Sequence, residues 1–270
     1  MAISLVPSSD LTRLRELQAI LENTAPKSRR EGFRAKLPDW DTLLPNHTWP
    51  RAAIHEFLVP ATDGRITDDI MTDRNVCPTG IGAMTDRNVC PTNMPLTPAA
   101  ILAFRARQTG FIAWIDPDRQ IYPPALAALG IPLNCVLWIH PTKPRDLVWA
   151  IAECLRCPGV DVTIASPPAL SRIEARRLQL AAETGGGIGL LLRPHNPGAI
   201  YAAATRWLIT PVPATRDGRR WNIQLLHGHG GLTGQSIILE LDHETYSLRT
   251  FVPVADRPAQ ATHDVALRSA

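Results

Sequence analysis

No apolar run in this chain approaches the roughly 18 residues that a membrane span requires, so no membrane contact is expected. The start, MAISLVPSSD, lacks the basic region and apolar block of a secretory signal, and a cytoplasmic location is the expectation that follows. Cysteine is scarce: five in 270 residues, an odd number that does not suit a disulfide framework. Strong charge is lacking as well, and a formal net charge of +3 permits contact with nucleic acid without arguing for it. No Gly-x-Ser-x-Gly elbow or similar nucleophile motif occurs. What is present, 45% hydrophobic and 20% charged residues, is the composition of an ordinary globular protein able to bury one large core or two small ones.

One stretch departs from this background. MTDRNVCPTGIGAMTDRNVCPT, from Met71 to Thr92, holds the same nine residues twice. Two short copies cannot make a solenoid, which needs at least about three stacked units of roughly 20 or more residues. Asp, Asn, Pro and Thr interrupt every apolar run in the unit, so it reads as neither helix nor strand. The repeat is therefore placed in an irregular insertion spanning 59–95. Cys77 and Cys90, one in each copy, offer pairing or metal binding as an alternative, without the His or Cys spacing that would support it.

The rest divides into an N-terminal helix and basic linker (1–45), a core (46–255) and a flexible tail (256–270). In DLTRLRELQAILEN, Leu11, Leu14, Leu17 and Leu21 recur at helical spacing, and TAPKSRREGFRAK follows as a breaker-rich basic linker. Ala53 to Val59 reads as a short buried strand. LTPAAILAFRARQTG reads as a helix with Thr97 as N-cap, Pro98 at the first helical position and Gly110 as its stop. Then apolar strands alternate with amphipathic helices: FIAWID, PPALAALG, NCVLWIHP, PRDLVWAIAECLR, VDVTIAS, LSRIEARRLQLAAETGGG with a Ser171 and Glu174 capping box, and IGLLLRP. Strands apolar throughout imply a mostly parallel sheet with helices on both faces, hence an α/β fold. ATRWLITPVPA, RRWNIQLLHGHGG and SIILELDHETYSLRTFV read as an antiparallel extension with a tight turn at DHET.

The run FIAWIDPDRQIYPPALAALGIPLNCVLWIHP, followed by AIAECLRCPGVDVTIAS, resembles the ATPase core of the RecA family. RAAIHEFL, YPPALAALGI, RRLQLAAETGGGIGLLLRP, ATRWLITP and LDHETYSLR resemble more closely the RecA-like ImuA family of damage-inducible mutagenesis operons, sometimes labelled SulA-like. The resemblance covers roughly 45–255. It implies a RecA-like adaptor in translesion synthesis whose partners are an ImuB-type polymerase-like protein, an error-prone replicative-type polymerase subunit, RecA and single-stranded DNA.

The departures weigh as much. A phosphate loop needs a Gly-rich turn with Lys and Ser or Thr to hold phosphate and magnesium, and none lies between IHEFL and LTPAAILAF. Ala165 and Ser166 stand where a magnesium-linked Asp is expected. Asp118 matches the position of the family's catalytic acid but also reads as a surface turn carboxylate. No cofactor and no catalysis are expected, and the repeat is read as growth in a relaxed phosphate-loop position. The alternatives are a DNA-stimulated ATPase with an unrecognised loop, in which Asp118 activates water, and a cell-division inhibitor.

Other motifs have plainer readings. GGGIG, at Gly185 to Gly189, follows a helix and precedes a strand, so it reads as a helix cap rather than a dinucleotide fingerprint. Cys154 and Cys157 form a C-x-x-C with Cys154 on the apolar helix face, which suits core packing. His227 and His229, with His243 across the turn, lack a recognisable metal spacing. Two arginine clusters, Arg172, Arg176 and Arg177, and Arg216, Arg219 and Arg220 before Trp221, suit either solvated faces or contact with DNA or a partner. Leu14 and Leu21 are the apolar candidates for partner contact.

Overall fold

A computed structural model describes residues 32–60, 95–167, 169–213, 219–242 and 248–251. Strands β1 (Ala53–Val59), β2 (Phe111–Ile115), β3 (Val136–Ile139), β4 (Val160–Ala165), β5 (Ile188–Pro194), β6 (Thr205–Val212), β7 (Arg219–Gly228), β8 (Ser236–Leu241) and β9 (Leu248–Phe251) form one sheet. Its order is β3-β2-β4-β5-β1-β6-β7-β8-β9. The first six of these positions pair in parallel, and β7, β8 and β9 continue antiparallel. This is the α/β architecture expected from the apolar strands.

Helices cover the parallel part on both faces. On one face lie α1 (Pro38–Asp41), α2 (Leu96–Ala106) and α3 (Pro123–Ala128); on the other lie α4 (Pro144–Arg156) and α5 (Arg172–Gly185). β1 is buried at six of its seven positions, and β4 at all six, because both of their faces are covered. β7 instead alternates buried Trp221, Ile223 and Leu225 with half-exposed neighbours, since only one of its faces meets the core.

The first core cluster is rich in aromatics. Trp40, Trp49, Trp207 and Phe57 are fully buried, with ring centroids 5.0 to 5.8 Å apart. Trp40 and Trp49 belong to the segment from Phe33 onward, which closes on itself through an antiparallel Phe33–Trp49 bridge and packs into this cluster. Asp41 fastens that segment, accepting from the Trp49 indole at 2.8 Å and from the backbone N–H groups of Ala35 and Lys36.

Two helix boundaries correct the sequence reading. α2 starts at Leu96 with Pro95 as N-cap, so Thr97 is not the cap. Pro98 then sits within the first turn, where its missing N–H costs nothing. The helix ends at Ala106, where Arg107 turns extended, so Gly110 is not its stop. Gly110 is small because the chain passes close to β4: a Cβ there would lie 2.4 Å from the Gly159 carbonyl oxygen. Its N–H donates to the buried Asp161 carboxylate at 2.7 Å.

The capping box of α5 forms as read, and Gly186 caps the other end at φ 78, the left-handed region that glycine adopts freely. Cys154 packs against the second core cluster, and burial, with Cys157 and Glu153 adding, pushes its thiol up to about 12. The 71–92 repeat with Cys77 and Cys90, the N-terminal helix with Leu14 and Leu21, Arg216, the DHET turn from His243 on and the tail from 256 lie outside the described residues. Among the described residues no helix is long and apolar enough to cross a membrane.

Candidate functional site

α5 is amphipathic in a way that divides its arginines from its core. Ala175, Leu178, Ala181 and Ala182 face the sheet and α4, while Arg172, Arg176 and Arg177 are exposed. Beside it runs the connection from β5 to β6. His195 N–H donates to the Val59 carbonyl at 2.7 Å, the chain turns where the Asn196 side chain accepts from Gly198 N–H, and Ala204 N–H returns to the Ile54 carbonyl at 2.8 Å. Ala203 is buried as the anchor of this connection. The result is a cleft of about 510 Å³ between α5 and the connection, bordered by Arg172, Arg176, Ile200 and Tyr201 and floored by alanines.

The Tyr201 wall is fixed from beneath. The Arg206 guanidinium lies over the Tyr201 ring, 4.1 Å from its centroid, and the ring edge meets His227, which in turn meets His229. Arg206 is itself held by Glu56, Nε to Oε2 at 2.8 Å, and the other Glu56 oxygen accepts from Arg193 at 2.7 Å. All three side chains are at most 8% exposed. Two guanidinium charges thus share one carboxylate, and the group keeps an excess positive charge below Tyr201. His227 is held below the ordinary histidine range, first by partial burial and then by His229 and Arg206.

The outer arginines are differently placed. Arg176 donates to the Gln179 side chain at 2.8 Å, and among the described residues no carboxylate lies within ion-pair distance of Arg172, Arg176 or Arg177. Glu174, the nearby acid of the helix, accepts from the Ser171 hydroxyl and N–H, which keep its carboxyl below the usual range.

The structure brings Arg172 and Arg176 together with an aromatic, but not with the second arginine cluster. Arg219 and Arg220 open β7, and Arg220 pairs with Glu240 at 3.2 Å, which Arg249 also approaches. Trp221 is buried in the core, so it offers no face for stacking. Asp118 is exposed in the turn after β2, whereas Asp116 is buried and accepts from Ile121 N–H at 2.9 Å. At the end of β4, Ala165 is buried and Ser166 exposed, and neither side chain has a carboxylate to offer. Among the described residues no group of three or more His, Cys, Asp or Glu side chains is placed to hold a metal.

Sequence reasoning missed Tyr201, Arg206, Arg193 and Glu56. A signal existed: each of the strands IHEFLV, IGLLLRP and TRWLITPV carries one lone charge in an apolar run, and such charges must find partners when buried.

No family model matches the chain. Over 183 residues it is 27% identical to protein ImuA of Caulobacter vibrioides, covering 61% of this chain and 72% of ImuA. Over 97 residues it is 30% identical to the cell division inhibitor SulA of Edwardsiella piscicida, covering 36% of this chain and 57% of SulA. The sequence is ImuA-like and SulA-like. A further SulA, from Yersinia pestis, is 28% identical over 91 residues, and the chain spans 54% of its length. The crystal structure of SulA from Pseudomonas aeruginosa overlaps 37% of this chain at 20% identity with a TM-score of 0.34, too slight a likeness to carry an argument.

Proposed function

We propose that this protein is a non-catalytic accessory factor of the SOS response to DNA damage, supporting error-prone translesion synthesis by holding partners rather than by chemistry. The observation that carries this reading is the match to ImuA, which extends over 72% of that protein. The sequence supports it with the absent Gly-Lys-Ser/Thr phosphate loop, and the fold with Asp118 out in an exposed turn. In this reading the partners are an ImuB-type polymerase-like protein and the associated error-prone polymerase subunit, with RecA and single-stranded DNA as further contacts. No nucleotide or metal cofactor takes part. Deleting the gene should lower damage-induced mutation frequency towards that of undamaged cells while leaving growth intact; an unchanged induced frequency would overturn the reading.

The SulA matches favour a second reading, a cell-division inhibitor. Overproduction separates the two: filamentous, undivided cells favour the inhibitor, and normal division with raised mutability favours the accessory factor. The ATPase alternative predicts that magnesium-ATP raises the melting temperature, since a ligand that binds only the native state stabilises it.

A further inference from the structure

The cleft between α5 and the 199–202 segment joins an apolar floor, a cationic rim and exposed apolar side chains along α5. Its floor is built of small apolar side chains, Ala175, Ala199 and Ala202, which leave an open groove of about 510 Å³ with room for a guest group. Its rim carries Arg172 and Arg176, cations without an acidic partner among the described residues, above a buried group that already holds two guanidinium charges on one carboxylate. Ile200 on its border is 42% exposed, and along α5 Ile173 is 82% exposed and Leu180 44%.

From this combination we infer that the cleft is the docking site for an acidic segment of a partner protein, with one apolar or aromatic side chain as its anchor. The anchor enters between Tyr201 and the alanine floor, and flanking Asp or Glu side chains meet Arg172 and Arg176. Ile173 and Leu180, which share a helix row with Arg177, extend the contact along α5. The positive charge of the rim and of the buried group below it sets the sign of the partner. Arginine and tyrosine beside exposed aliphatic side chains form the composition of a protein interface centre. A single strand of DNA would find one stacking ring here, and its sugar–phosphate chain has no use for Ile173, Leu180 and Ile200. Arg206, oriented by Glu56, lies against the Tyr201 ring from the inner side. The inference rests on the accessory-factor reading only for the identity of the partner.

The experiment is selection of a displayed random-peptide library on the full-length protein, followed by anisotropy titration of a synthetic copy of the winning peptide. Winners should carry Asp or Glu around a Leu, Phe or Trp. Their binding should weaken about tenfold or more in Arg172→Ala/Arg176→Ala, with melting temperature unchanged, and likewise in Tyr201→Ala, and should weaken with added salt. In Arg172→Glu/Arg176→Glu the selection should turn to basic peptides. A library that yields no binder, winners without acids, or equal binding by the variants overturns the inference. So does a dT oligonucleotide that binds through these residues more tightly than any peptide. Failure here leaves the gene-deletion result standing, and a deletion without effect on mutability leaves the docking result standing.

Discussion

Tyr201 borders two groups of arginines. Below it Arg193 and Arg206 are almost completely buried, and both bind Glu56. Across the cleft Arg172 and Arg176 are exposed and have no acid of their own among the described residues. The residue type is the same, yet the inner group is tied to the fold and the outer group is free to meet something else. What separates them is the supply of carboxylate: Glu56 satisfies the inner group in part, while the outer group is left to solvent or to a partner. A parallel contrast lies within β1 itself. Glu56 meets two guanidinium groups on one face of the sheet, and the next residue back, His55, stays neutral on the other. The Pro50 carbonyl can only accept, so His55 Nε2 carries the proton and Nδ1 accepts from the Thr205 hydroxyl at 2.8 Å. Burial holds this imidazole down to about 4.

The largest effect is expected from Glu56→Ala. It leaves two buried guanidinium groups without an acid, and the expected loss in urea unfolding is about 3 to 5 kcal/mol. A loss below about 1 kcal/mol would mean that the inner arginines reach solvent as easily as the outer ones. Acid comes next. His55 is neutral in the fold down to about pH 4 but takes a proton in the unfolded chain below about 6.5, so its contribution is complete above pH 6.5 and declines as pH falls towards 4. About 3 kcal/mol should be lost over that window, and His55→Gln should remove this part of the pH dependence. Ser171→Ala, which removes the cap that starts α5 just before Arg172, should cost about 1 kcal/mol. Arg172→Ala and Arg176→Ala should change stability by no more than about 0.5 kcal/mol each, since neither holds the fold together.

Much of this architecture is written locally. Ala53 to Val59, the capping box at Ser171 and Glu174 and the glycine cap of α5 follow from residue type and spacing alone. The inner arginine group is not local: Glu56 meets partners 137 and 150 residues away, and only the order β5-β1-β6 makes them neighbours. Tyr201 escaped notice for the same reason, because its value depends on the guanidinium below it. Trp221 misled in the opposite direction. Beside Arg219 and Arg220 it looked like a stacking platform, but alternation along β7 turns it into the core and sends Arg220 to Glu240 on β8. Thr97 and Gly110 misled as helix punctuation, since two prolines open α2 and the glycine serves the passage past β4.

The measurement closest to the central claim is damage-induced mutation frequency in cells that carry Arg172→Glu/Arg176→Glu in place of the native protein. The variant should accumulate and melt like the native protein, yet support no more induced mutation than the gene deletion. Full mutability with both charges reversed would contradict that claim.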